Sequence, residues 1–194
     1  MKTLIKTYVM ASLLMVAFTT EASAQTRRST SNNKTTTVRR TTVNRVPSNR
    51  VVYKTPTRKV VSVRTVPNNR VVIKHNGQNY YYANNRYYVQ SRGHYVVIPP
   101  RVGFRINVLP ANFVRVSFSN FNYFFVEGIF YIQNQNQYEV VEPAIGTVVY
   151  QLPDDYEKVV IDGLTYYEYA NILYEKIQIN GTRAYEVVGI IDME

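Results

Sequence analysis

The sequence predicts an all-β fold made of tandem antiparallel units of about 43 residues, and three observations predict it. The Tyr/Val-rich part of the chain repeats at that period. Leu109-Pro110 recurs as Leu152-Pro153, Pro100 and Gly103 as Pro143 and Gly146, Tyr88 and Tyr95 as Tyr131 and Tyr138, and Val97 and Val116 as Val140 and Val159. A fixed period in this range marks a supersecondary unit copied along the chain. Turn signals fall in phase with the repeat, and the runs between them are rich in β-branched and aromatic residues, which suit a pleated surface. No stretch carries a 3.6-residue apolar period, so little helix is expected. The units are expected to form a small barrel or sandwich-like body preceded by a disordered basic arm.

Residues 1–24 read as an export signal. Lys2 and Lys6 make a short basic start, Tyr8 to Phe18 is apolar but too short to span a bilayer, and Ala22-Ser23-Ala24 fits a signal peptidase site. No cysteine follows to carry a lipid anchor, and no later run is long and apolar enough to cross a membrane as a helix. The expected setting is the periplasm, outer-membrane surface or exterior of a bacterium. The complete absence of cysteine removes disulfides, thiolate metal sites and cysteine nucleophiles together.

Residues 25–65 read as a basic low-complexity arm. They hold 11 Lys/Arg and no Asp or Glu, whereas residues 66–194 hold 10 basic and 12 acidic residues. The net charge of +10 therefore belongs to the N-terminal part of the chain. The arm's composition buries almost nothing from Gln25 to Asn44. Its cations, Arg27, Arg28, Lys34, Arg39, Arg40, Arg45, Arg50, Lys54, Arg58, Lys59 and Arg64, are the candidate contacts to an envelope polyanion such as lipopolysaccharide or an acidic glycan. A solvated tether is the alternative. With Tyr53 as the arm's one aromatic, base stacking is not supported and no specific nucleic-acid partner is expected.

Residues 66–194 divide into units of about 66–108, 109–151 and 152–194. Asn76-Gly77, Ser119-Asn120 and Asp162-Gly163 are hairpin signals in phase, suited to turns that need positive φ. A second set, Val66-Pro67-Asn68-Asn69, Leu109-Pro110-Ala111-Asn112 and Leu152-Pro153-Asp154-Asp155, places proline second in a turn. Each unit then has four or five short strands. Alternation puts Val116 with Phe118, Val159 with Ile161 and Ile73 with His75 on one face, with His75 half-buried at a strand end. The third unit carries an insertion around Asn180-Gly181 and stops before the strand that follows the Pro…Gly turn. Residues from Val60 to Val66 are expected to supply that strand and cover an open edge.

The pattern Tyr80-Tyr81-Tyr82…Tyr87-Tyr88…Tyr95-Val96-Val97-Ile98-Pro99-Pro100…Gly103…Leu109-Pro110 resembles exported proteins, chiefly of Bacteroidota, classed as domain of unknown function 6515. The resemblance spans roughly residues 70–190, with PP-x-x-G-x-x-x-x-x-LP its most specific part. It implies export and a repeated β domain, and it carries no activity or catalytic residue to transfer.

Motifs for catalysis are missing. His75 and His94 have no G-x-S-x-G elbow to serve and no metal-ligand spacing. Asp154-Asp155 suits a turn, and Glu139 and Glu186 are repeat-equivalent strand residues expected on a solvent face. No catalytic residue, metal site or cofactor is expected. The leading reading is a non-enzymatic envelope interaction or scaffold protein whose partner is a polyanion or another envelope protein. The alternative is a carbohydrate or peptidoglycan binder using outward tyrosines, for which Tyr81, Tyr88, Tyr131, Tyr167 and Tyr174 are the candidates among 18 in the chain. A glycan hydrolase, which needs two carboxylates in a concave pocket, comes third.

Overall fold

The structure, a computed structural model, describes residues 44–54 and 60–193. The expected export signal and most of the basic arm lie outside the described residues. The chain enters through β1 (Arg45–Pro47), a 3-10 turn at Ser48–Arg50 and β2 (Val52–Tyr53). The first sheet follows as β3 (Ser62–Val63), β4 (Val71–His75), β5 (Gln78–Ala83), β6 (Arg86–Ser91) and β7 (His94–Val97), in spatial order β3-β7-β6-β5-β4. The second repeats it with β8 (Arg105–Ile106), β9 (Val114–Phe118), β10 (Phe121–Val126), β11 (Ile129–Asn134) and β12 (Gln137–Val140), in order β8-β12-β11-β10-β9. The third contains β13 (Val148–Val149), β14 (Glu157–Ile161), β15 (Leu164–Tyr169), β16 (Ile172–Ile179) and β17 (Thr182–Asp192). Its order is β1-β17-β16-β15-β14-β2, with β13 also pairing β17. The fold is all-β, in tandem antiparallel units.

The hairpins form where the turn residues demand them. Asn76 and Gly77 take φ of 47° and 78°, and Asp162 and Gly163 take 50° and 79°, the positive pair that Asn-Gly and Asp-Gly accommodate at low cost. Ser119 is at 53° in the matching turn. The Asn180-Gly181 insertion makes a further turn with both φ positive and lengthens β16 and β17. In the proline turns the Arg70 N–H donates to the Pro67 carbonyl and the Tyr156 N–H to the Pro153 carbonyl, each at 3.1 Å. Proline therefore opens the turn as its first residue, not its second as expected.

Strand pairing corrects the unit limits. In each unit a two-residue strand comes first, precedes the proline turn, and returns to pair with the last strand: β3 with β7, β8 with β12, β13 with β17. The third unit is therefore complete, and each unit starts one short strand before 66, 109 or 152. Residues 60–66 close their own sheet and not the C-terminal one. Spacing along the sequence sets where turns fall, but it does not say which edge a short strand hydrogen-bonds.

The ends do meet, through a different segment. β1 pairs parallel with the end of β17, Val46 opposite Ile191, and β2 pairs antiparallel with β14, Tyr53 opposite Val159. Residues 45–53 thus belong to the β domain and not to an arm ending at 65. The reason is visible in the sequence. Val46-Pro47-Ser48-Asn49-Arg50-Val51-Val52-Tyr53-Lys54 repeats Val66-Pro67-Asn68-Asn69-Arg70-Val71-Val72-Ile73-Lys74 at seven of nine positions. The entering segment is a copy of the opening of a unit.

The sheets pack as a stack. One side chain of each adjacent pair on the middle strands faces backwards and the other forwards. Tyr87 of the first unit and Tyr131 of the second share one core cluster, and Phe130 of the second and Tyr174 of the third share the next. Leu173 then faces a cluster closed by Val46, with Val51 and Tyr53 packed against it. Val46 covers the last sheet as Leu109 and Leu152 contribute to the clusters between earlier sheets. A stacked repeat needs its terminal apolar face covered, and this segment does it.

Candidate functional site

The expected surface tyrosines are mostly core residues. Tyr131 and Tyr174 are fully buried and Tyr88 nearly so, while Tyr81 and Tyr167 are half-buried. Alternation tells which way a side chain points, but stacking fills both faces of β6, β11 and β16. The Tyr87 and Tyr131 hydroxyls meet at 2.9 Å, and burial pushes both above the usual tyrosine range. Tyr81 packs edge-on against Tyr95, and the Arg70 guanidinium lies over its ring. Tyr167 packs between Tyr156 and Tyr185.

The expected polyanion contacts divide three ways. Arg27, Arg28, Lys34, Arg39, Arg40, Arg58 and Lys59 lie outside the described residues. Arg45 bridges Glu142 and Asp192 at 2.6 Å each, and Arg50 pairs with Asp162, so both cations serve internal contacts. The hydrogen bond to Asp192 and the charges of Glu142 and Asp192 raise the Arg45 pKa further. Arg64 is exposed, and Lys54 borders a cleft.

That cleft, about 1170 Å³, is formed where the three units converge. The Pro99-Pro100 loop forms one wall, the turn at Gly128 and the 140–142 segment another, and residues 154–158, 168–172 and 190–193 the third. Its described lining holds six carboxylates, Glu142, Asp154, Asp155, Glu157, Glu168 and Asp192, against four cations, Lys54, Arg86, Arg101 and Lys158. The balance favours a ligand that offers hydrogen-bond donors over a polyanion.

The third unit's opening turn positions the central acids. Asp155 closes the Leu-Pro turn, with Oδ2 3.9 Å from Arg86 Nη1 across the cleft. Glu157 begins β14 directly opposite Glu168 on β15. Glu168 is almost fully buried, and its Oε1 accepts the Asn171 backbone N–H at 2.8 Å, fixing the turn in which Ala170 and Asn171 take positive φ. Asp155 Oδ1 and Glu157 Oε2 are withdrawn from solvent with no partner among the described residues. Tyr169 stands beside them, its hydroxyl driven upward by burial and then by the Asp155 charge.

Asp154-Asp155 carries the signature of a turn former, and no motif in the sequence singles out Glu157 or Glu168. Their only sequence signal was the approach of acids around the third proline turn. Glu139 is held by Arg105 and Asn134, and the Asn134 amide is the first cause of its lowered pKa. Glu186 is buried, not on a solvent face as expected, because β17 is flanked there by both β16 and β13. His75 packs edge-on against Phe104, half-buried as expected, and neither histidine lines the cleft. Among the described residues no three His, Cys, Asp or Glu side chains are grouped to hold a metal ion, and no helix is long and apolar enough to cross a membrane.

No curated protein and no solved structure matches the sequence. A family model does, and it begins at Val46, in the segment that covers the third sheet, and ends at Ile191, in the strand that this segment pairs with. On that match over residues 46–191 the chain belongs to DUF6515, a family of unknown function.

Proposed function

We propose that the protein is an exported, non-enzymatic interaction module of a bacterial envelope that holds the hydroxyl- and amide-bearing sugar backbone of a glycan such as peptidoglycan in the cleft. The observation that carries this reading is the pair of buried acceptors at the cleft wall, Asp155 Oδ1 and Glu157 Oε2, which have no hydrogen-bond donor among the described residues. A buried acceptor without a partner costs about 1–3 kcal/mol, which a ligand hydroxyl or amide would recover once these side chains turn toward the cleft. The basic residues before Asn44 then act separately, as a salt-sensitive contact to lipopolysaccharide or acidic glycan.

A binding role is favoured over hydrolysis because other cleft carboxylates have structural partners. Glu142 and Asp192 hold Arg45, and Glu168 fixes the 170–171 turn. The hydrolase reading keeps one supporting observation, the opposed Glu157 and Glu168.

The test is retention on peptidoglycan at low and high salt, comparing the protein with Asp155→Asn/Glu157→Gln. Retention that resists salt and weakens about tenfold in the double variant is expected. Equal retention of the two would remove the cleft from the function, and release of soluble glycan fragments by the protein would favour the hydrolase.

A further inference from the structure

β4 is an edge strand with no covering strand among the described residues, and Val71 and Val72 on it are each 55% exposed. Its equivalent in the third unit, β14, is covered by β2. β2 belongs to the nine-residue near-copy of the segment containing β4, so the chain already shows what a β4-like strand does beside a β4-like edge.

The register of that contact transfers completely. Across β2–β14, Tyr53 faces Val159, Val52 faces Val160, and the Lys54 N–H donates to the Lys158 carbonyl at 3.0 Å. Through the nine-residue repeat, Val52, Tyr53 and Lys54 correspond to Val72, Ile73 and Lys74. Through two 43-residue periods, Lys158, Val159 and Val160 correspond to the same Val72, Ile73 and Lys74. Both sides of the contact therefore map onto β4, with Ile73 opposite Ile73 and Val72 opposite Lys74. That arrangement is antiparallel and symmetric about Ile73, the form of a two-fold interface.

Backbone parity agrees. His75 and Gln78 flank the two-residue Asn76-Gly77 turn, so His75, Ile73 and Val71 direct their N–H and C=O groups toward β5. Val72 and Lys74 direct theirs outward, as Lys158 does toward β2. A lysine on an edge strand ordinarily discourages pairing. Yet Lys54 lies opposite Lys158 in the contact that forms, whereas Lys74 would lie opposite a valine. The equivalent edge β9 is less open, since Phe118 at its end lies against the Gly146 turn.

We propose that β4 is a self-association edge through which a second copy of this chain docks, joining two first sheets into one continuous sheet centred on Ile73. This holds whether or not the cleft binds glycan.

Sedimentation equilibrium over a dilution series tests it, with two variants. Val72→Pro removes only an outward N–H and leaves the β4–β5 pairing intact. Ile73→Cys places a thiol in a chain that has no cysteine, at a pair whose expected Cα separation of about 4.5 Å permits a disulfide. The expected results are a concentration-dependent two-chain species, its loss in Val72→Pro with the melting temperature that the unsubstituted protein shows when diluted to one chain, and a disulfide-linked dimer of Ile73→Cys under mild oxidation. A one-chain mass at every concentration together with no cross-link at position 73 would overturn the proposal. So would cross-linking of Val116→Cys, on β9, in place of Ile73→Cys.

Discussion

Gly128→Ala is expected to lower the melting temperature by roughly 10 °C, while Gly163→Ala costs only a few degrees. Both glycines have positive φ, 83° and 79°, where any Cβ is strained by about 1–2 kcal/mol. They differ in what the new methyl group would meet. At Gly163 nothing lies within 4 Å. At Gly128 the methyl would fall 2.3 Å from a Tyr169 ring carbon and 2.8 Å from Pro153, both in the third unit. Such overpacking adds about 1–3 kcal/mol or more, because the ring borders two core clusters and has little room to retreat. Gly128 is thus where the second unit's turn closes onto the third. It also lines the cleft, so Gly128→Ala should weaken cleft binding along with stability. Thermal unfolding of the two variants side by side reads the difference, and equal losses would mean that the 128 turn does not pack as described.

Val46→Asp is expected to destabilise by about 3–5 kcal/mol, since it places a carboxylate without a partner in an apolar cluster. Val46 has no exposed surface and packs with Val159, Leu173, Val188 and Ile191. Were residues 25–65 an arm, the change would be silent. Denaturant unfolding decides the matter: a midpoint equal to that of the unsubstituted chain would place Val46 outside the core.

The strands and turns were legible because their causes are local. Asn76-Gly77 and Asp162-Gly163 specify their own backbone, and the 43-residue spacing shows that the specification is copied. Partner choice was not legible. Nothing local distinguishes a short strand that pairs with its own unit's end from one that pairs with another's, so the pairing of β3 with β7 is visible only in the structure. The burial of Tyr88, Tyr131 and Tyr174 was not legible for a related reason, because stacking covers faces that a single half-buried sheet would leave in water. The central cleft acids Asp155, Glu157 and Glu168 come from a turn and two strands facing loops of the other units, which the chain order does not bring together. The entering segment is the exception. Its V-P-x-N-R-V-V-x-K echo stood in the sequence, hidden by the Thr- and Arg-rich composition around it.

Residues 44–54, a copied unit opening, complete the third sheet and cover its outer face. Thermal unfolding of the chain shortened by residues 1–43, beside one shortened by residues 1–54, tests it most directly. The first is expected to melt with the full chain. The second should melt roughly 10 °C or more lower, or aggregate through the bared edge of β14. Identical melting of the two truncations would contradict the account.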